Sequence, residues 1–440
     1  MEYVIQGGQL LLSLSILIVL HEFGHYLPAR WFNTRVEKFY LFFDYKFSLF
    51  KKKIKETEWG IGWIPLGGYV KISGMIDESM DKEQMALPPK DYEFRSKPAW
   101  QRLIIMIGGI VVNLIVGVVI YVMIMFTWGE EIVEPENVKY GFAVEEHFEQ
   151  FGFQDGDQIL TINGEKPDDV SRIGYDIALH GARDFEVQHS NGETELIALP
   201  EDIDMTMFEV GAMRGLEIRV LPIIDTVFKD GIADSAGFKS GDQITAVSNQ
   251  TITYWDEFKE AINDSKSKSI TATVLRSGRE VELALLVDST GTIGVMVDSK
   301  IDEIKKKIEY GFLSSIPRGI EAGWVTLSDY AKQFKYVFTT KGATSVGGFG
   351  AIGSLFDKEW NWRSFWSNTA FISIILAFMN FLPIPALDGG HIMFLMYEII
   401  SGRKPNDKFM EYAQMVGIIF LLALLVYANG NDIYKWITGG

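Results

Sequence analysis

Apolar and polar positions separate along this chain in blocks the length of whole helices. Leu10–Leu20 (LLLSLSILIVL) is almost wholly apolar, and after a short polar interruption Tyr26, Leu27, Pro28 and Ala29 continue it without a charge. Leu103–Trp128 carries no charged side chain, and Phe365–Ala386 is apolar apart from Ser, Asn and Thr. Met410–Tyr427 is shorter and contains VGIIFLLALLVYA. A bilayer needs about 20 apolar residues per helix, so these runs predict four transmembrane helices, over 1–32, 103–128, 365–392 and 410–428. The first run lacks a basic leader and continues into the polar interruption, which predicts a retained span instead of a cleaved signal peptide.

Charge orients these spans. Residues 30–102 hold 14 Lys+Arg against 10 Asp+Glu, and the connection 401–409 adds Arg403, Lys404 and Lys408. Residues 129–365 hold 23 Lys+Arg against 41 Asp+Glu, a difference of −18 within a chain of net charge −17. The positive-inside rule predicts that the first and third connections are cytoplasmic, and that 129–365 and the N-terminus lie outside. An acidic outside region argues against nucleic acid. The absence of cysteine excludes a disulfide scaffold and a thiolate-bound metal.

The outside region repeats itself. Gly152-Phe153-x-x-Gly156-Asp157-Gln158-Ile159 recurs 85 residues later as Gly237-Phe238-x-x-Gly241-Asp242-Gln243-Ile244, each followed by a strand-like run and turn residues. One copy would pass for a hairpin turn, but two with matching flanks indicate duplicated small domains. With a helix pattern over Thr253–Asn263, the order of elements resembles circularly permuted bacterial PDZ domains, over 138–200 and 214–298. A segment 303–358 follows, expected to be external and helical. Arg214 and Arg219 stand near the start of the second copy, where they are expected as solvated surface arginines or as a basic spot for a peptide chain end.

Within 33–102, Thr57–Ile64 and Pro65–Ile72 read as two short strands about a Pro/Gly turn. So apolar a β-hairpin is unusual in a cytoplasmic loop, and irregular backbone at membrane depth survives only against protein or a wet cavity. This predicts a hairpin over 57–72 that dips back beside a site, followed by a polar, partly extended loop over 77–99.

The interruption in the first run is His21-Glu22-Phe23-Gly24-His25. On a helix, histidines four residues apart share one face, suited to two corners of a tetrahedral zinc site, with Glu22 beside them as general base. In a soluble chain HExxH also arises as a polar turn at a helix end. Inside an apolar span, ionisable groups cost several kcal/mol and mark function. A catalytic zinc site needs a third protein ligand. Near the end of the third run, Pro383 and Pro385 break the helix, and Asp388 follows between a turn and Gly389-Gly390. Asp388 is the favoured third ligand, with His391 its rival.

HEFGH in a first span and Asn380-x-x-Pro-x-Pro-x-Leu-Asp388-Gly-Gly in a third resemble the site-2 protease family of intramembrane zinc metalloproteases. Four spans with two PDZ domains between the second and third resemble its bacterial regulator-of-sigma-E branch, as does the run Pro65-Leu66-Gly67-Gly68-Tyr69-Val70-Lys71. The resemblance covers essentially the whole chain. It implies a polytopic α-helical membrane protein with two inserted α+β PDZ domains, seated in a bacterial inner membrane with those domains on the periplasmic side. It implies Zn2+ on His21, His25 and Asp388, Glu22 as base, and Asn380 on the substrate backbone or oxyanion. It further implies that Gly67, Gly68, Tyr69, Val70, Lys71 and Ile72, within a re-entrant hairpin, receive an extended substrate. Single-span membrane proteins already trimmed outside, such as anti-sigma factors or signal-peptide remnants, would be cleaved in regulated intramembrane proteolysis. The alternative is a PDZ-bearing membrane scaffold or a metal permease, for which Glu22 would be dispensable.

Overall fold

A computed structural model describes residues 2–65, 67–75, 87–211, 213–298 and 300–438. The chain divides into two compact units, Met1–Gly129 with Glu309–Gly440, and Glu130–Ile308. Leu66 of the expected turn, residue 76, and residues 77–86 of the expected polar loop lie outside the described residues.

The first unit is built on helices α1 (Glu2–Trp31), α2 (Ala99–Thr127), α3 (Phe312–Gln333), α4 (Trp362–Phe381), α5 (Asp388–Ser401) and α6 (Asp407–Thr438). Among the described residues, α1, α2, α4 and α6 are long and apolar enough to cross a membrane, matching the four apolar runs. The expected third span 365–392 is two helices, not one. Prolines 383 and 385 lack the backbone donors a helix requires, so α4 ends at Phe381 and α5 begins at Asp388.

Small residues hold α2 at the centre of this unit. A Cβ on Gly24 of α1 would stand 2.4 Å from the Gly108 carbonyl oxygen of α2, and one on Gly108 would stand 2.0 Å from that of Gly24. Gly117 makes a similar close approach to Ile374 of α4. Lipid is as apolar as the side chains themselves, so helices in it associate by this kind of close backbone packing. α3 lays Gly319 and Gly323 on Val122 and Val118 of α2, Thr326 Oγ1 donates to Tyr121 Oη at 3.0 Å, and Tyr330 packs edge-on against Phe378 of α4. Within 303–358, where an external helical segment is expected, α3 lies on α2 and α4, and strand Lys306–Ile308 precedes it.

Four strands follow α1: β1 (Val36–Leu41), β2 (Phe50–Ile54), β3 (Thr57–Ile61) and β4 (Tyr69–Ile72), in sheet order β2-β3-β1-β4. The expected 57–72 hairpin is therefore corrected. β3 and β4 do not pair with each other. β1 lies between them, parallel to β3 and antiparallel to β4. The true hairpin is β2–β3, turning at Lys55, whose φ is +54°. Among the described residues β4 is an edge strand of this sheet.

The second unit opens and closes on one antiparallel pair, β5 (Glu130–Ile132) with β17 (Lys306–Ile308). Between them the sequence repeat folds twice in the same way. In the first copy β6 (Phe142–Val144) pairs with β10 (Leu216–Ile218), beside a sheet of β7 (Gln158–Ile162), β8 (Asp184–Gln188) and β9 (Thr194–Ala198). In the second, β11 (Ile224–Val227) pairs with β16 (Val295–Val297). Beside that pair, β12 (Gln243–Val247), β13 (Gln250–Thr251), β14 (Ser269–Arg276) and β15 (Arg279–Leu286) form a sheet in the order β13-β12-β14-β15. Each copy has its own apolar core. Because β10 closes the first copy, that copy runs to Ile218 instead of 200, and the second starts later than residue 214. The helix expected over Thr253–Asn263 is Trp255–Asp264. Arg219 is not a solvated arginine. It is half-buried over the Tyr254 ring and ion-paired to Asp256, Glu257 and Asp155, whereas Arg214 is exposed beside Glu217.

Candidate metal centre

The buried positions of α1 recur every four residues, at Gln9, Ser13 and Leu17, and His21 and His25 extend the same stripe into the bundle. α1 continues through the whole motif to Trp31, so both imidazoles stand on regular helix. Asp388 arrives from irregular backbone. Between the two prolines and α5, Ala386 adopts φ +82°, and its N–H is bonded at 3.3 Å by Gln414 Oε1 of α6. Gly389 is required there, because a Cβ would stand 2.0 Å from the Leu382 carbonyl oxygen. This folds the break back on the start of α5 and points the Asp388 carboxylate at α1.

Three atoms converge. His21 Nε2 and His25 Nε2 are 3.3 Å apart, and each lies 3.3 Å from Asp388 Oδ2. The rings are edge to face, 4.9 Å between centroids. His25 Nδ1 is 2.9 Å from the Ile105 carbonyl oxygen, which only accepts, so this ring carries its proton on Nδ1 and offers a lone pair through Nε2. Asp388 Oδ2 is buried and receives no hydrogen bond. Lone pairs crowded in this way repel one another unless a cation lies among them. A tetrahedral zinc ion with bonds of about 2.0–2.1 Å requires neighbouring donors about 3.3–3.4 Å apart. The triangle has those edges, and its donors are the nitrogen and oxygen types zinc takes, so the residues fit the ion. Among the described residues this is the group of three whose atoms could hold a metal. His391, the rival ligand, lines a different cleft with Arg102 and Glu398.

Glu22 follows His21 on α1 and is half-buried. A Cβ on Gly68 would lie 3.6 Å from Glu22 Cγ and 2.5 Å from Ile18 Cγ2, so the entry to β4 presses directly on α1 beside the motif. Tyr69–Ile72 then run along the sheet edge, with Tyr69 Oη donating to Asp44 and Lys71 paired to Glu37. Gly67 precedes them at φ +153°. Asn380 lies half-buried in the last turn of α4, just ahead of the break.

Sequence reasoning missed what α2 contributes. Ile105 and Asn113 reach His25 and His21, while Gly109 leaves room for both rings, a Cβ there lying 2.4 Å from His25 Nε2 and 2.7 Å from His21 Cε1. One signal was available, since Asn113 is the single amide in an uncharged apolar span.

Comparison with known proteins supplies the family. The profile of Peptidase family M50 matches residues 9–424. The regulator of sigma E protease of Haemophilus influenzae is 27% identical, over 99% of this chain and 100% of its own length. The regulator of sigma-E protease of Escherichia coli is 28% identical, over 96% of this chain and 97% of its own. A protein of Neisseria meningitidis designated a zinc metalloprotease is 27% identical over the same shares. With the family profile running from the first apolar helix into the last, the chain belongs to peptidase family M50, the site-2 proteases, and is a zinc metalloprotease.

Proposed function

We propose that this protease cleaves transmembrane segments within the bilayer, with zinc held by His21, His25 and Asp388. The observation that carries the reading is the 3.3 Å triangle of Nε2, Nε2 and Oδ2 between apolar helices long enough to span a membrane. When bound, zinc supplies Lewis acidity toward a peptide carbonyl and lowers the pKa of a water in its contact. Glu22 takes a proton from the attacking water and returns it to the leaving amine, so the peptide C–N bond breaks with protons balanced. Asn380, at the end of α4, donates its amide N–H to the carbonyl oxygen as charge builds there.

A transmembrane substrate hides its carbonyls in its own helical hydrogen bonds and must be unwound to react. The edge strand β4, Tyr69–Ile72, with Gly67 and Gly68 leading into it, offers replacement backbone partners by strand addition. Its start is already pressed against α1 beside Glu22. This role does not need the hairpin expected from sequence, only a strand at the edge of the sheet. The two copies in Glu130–Ile308 are domains of PDZ type, a reading supported by their shared order of elements and the repeated Gly-Asp turn. The location is a bacterial inner membrane, with those domains outside. By likeness to the sigma-E regulators, substrates are single-span proteins trimmed outside, of the anti-sigma or signal-peptide-remnant kind.

Purified full-length variants test the reading with a single-span model substrate. Glu22→Gln should keep zinc and lose cleavage, whereas His21→Ala, His25→Ala and Asp388→Ala should lose zinc. Full zinc and full activity in Asp388→Ala would overturn the ligand assignment and direct attention to His391.

A further inference from the structure

The two imidazoles have outer partners of different kinds, and both come from one face of α2. Ile105, Gly109 and Asn113 follow at four-residue intervals. The Ile105 carbonyl takes the His25 Nδ1 proton at 2.9 Å, and Asn113 meets His21 Nδ1 at 3.1 Å through its side-chain amide. Asn113 is fully buried, and its backbone carbonyl accepts from Ser373 Oγ of α4 at 2.7 Å. Its Oδ1 is buried with no partner, while Nδ2 is the amide atom facing the ring.

That orientation conflicts with what His21 does at its other nitrogen. Its Nε2 points into the triangle with His25 Nε2 and Asp388 Oδ2. An imidazole that gives a lone pair through Nε2 carries its proton on Nδ1, and an N–H facing an NH2 sets donor against donor. Turning the amide by a half rotation costs no volume, since its oxygen and nitrogen are nearly the same size. It sets Oδ1 on the ring proton, so the unpartnered acceptor gains its bond and the donor–donor clash is removed, while Nδ2 takes the buried place where Oδ1 stood.

We propose that Asn113 is the positioning residue of His21. Its Oδ1 accepts the Nδ1 proton and fixes the tautomer and ring rotation that aim Nε2 at Asp388. This is the service the Ile105 carbonyl gives His25, and outer-shell acceptors of this kind set metal affinity in zinc sites. The proposal rests on the reading of His21 as a zinc ligand.

The test is zinc affinity of full-length protein in detergent, by chelator competition, with the absorption spectrum of the cobalt(II)-loaded enzyme as second readout. Asn113→Leu fills the same volume without an acceptor and should weaken zinc about 10–100-fold. Asn113→Asp keeps an acceptor and has no donor, so it should hold zinc within a few-fold of wild type and keep the cobalt spectrum. Native affinity in Asn113→Leu, or lost zinc in Asn113→Asp, overturns the proposal, the latter by making the amide a donor. If Asn113→Leu does not fold, Asn113→Ala takes its place with the same expected loss of zinc and the same refuting result. His21→Ala separates the two layers: if it retains zinc, the ligand reading has failed, and if it loses zinc while Asn113→Leu binds normally, only the positioning role has.

Discussion

The duplicated motif carries a built-in comparison of a permanent cation with a titratable one. In the second copy Asp242, just before β12, is met by Arg276 at the end of β14, at 2.7 Å on both carboxylate oxygens. Burial pushes the Asp242 carboxyl up, but Arg276 and the Lys239 N–H more than offset it and leave it below its ordinary value. In the first copy the same place before β7 is Asp157, and the position matching Arg276 in the ladder is His189, 2.7 Å away. The Asp157 contact first, then Glu195 at 3.0 Å, raise the His189 pKa above its ordinary value near 6.5. A raised pKa means the folded state binds the proton more tightly than the unfolded one. The stabilisation is complete below about pH 6.5 and is lost as pH climbs through the raised value. One proton sets the limit at about 1.4 kcal/mol per pH unit, or tenfold in the opening equilibrium. Amide exchange of the full-length protein between pH 6 and 9 reads it, with β14–β15 as internal reference for the protection of β7–β9. The protection ratio should fall with pH in wild type and stay flat in His189→Arg. A flat ratio in wild type, or an equal slope in the arginine variant, refutes the argument.

Other consequences follow from contact distances. His189→Ala leaves Asp157, 1% exposed, with the Gln154 N–H but no cation, and should cost the first copy about 3 kcal/mol at pH 6, seen as lost protection in β7–β9 alone. Gly109→Ala drives a methyl into both imidazoles, so zinc content should drop although no ligand has changed, while Gly353→Ala, with 3.7 Å to its neighbour, should be silent. Gly68→Ala pushes β4 off Ile18 and the Tyr40 carbonyl, and should cut cleavage of the model substrate at least tenfold with zinc content unchanged. Arg102→Ala strands Glu398, its partner at 2.5 Å, and should lower the thermal stability of the helical unit, whereas Arg102→Ala with Glu398→Gln should recover most of the loss.

The features legible in the sequence are those set by local pattern. Four apolar runs become four long helices, because hydropathy over a window decides membrane insertion. The HExxH spacing sets both imidazoles on one face, because helix geometry does. The prolines at 383 and 385 announce a break, and the break places Asp388. What escaped depends on pairing between distant segments. Thr57–Ile72 reads as a hairpin because its two strands are consecutive, yet β1 enters between them, and Val36–Leu41, with Glu37 and Lys38 in it, has no alternation to reveal this. The first copy's closing strand, Leu216–Ile218, likewise begins 58 residues after Gln158 of its motif, inside the stretch that the repeat assigns to the second copy.

Why α2 carries so much of the site follows from where the donors lie. His21 and His25 come from α1, and Asp388 from the start of α5, two helices each packed on α2. Apart from the contact of α1 with α4, where Thr369 Oγ1 donates to Ser13 Oγ at 3.0 Å, their relative position is set by their contacts with α2. Gly24 and Gly108 fix one contact to the backbone itself, and Arg102 ties α5 to α2 through Glu398. Side-chain packing would let α1 slide by fractions of an ångström. Backbone carbonyls a Cβ's width apart do not, and a triangle with 3.3 Å edges requires that stiffness. The same helix therefore supplies both the brace and the outer hydrogen-bond partners, and substitutions along Ile105–Asn113 should reach the metal before they reach the fold.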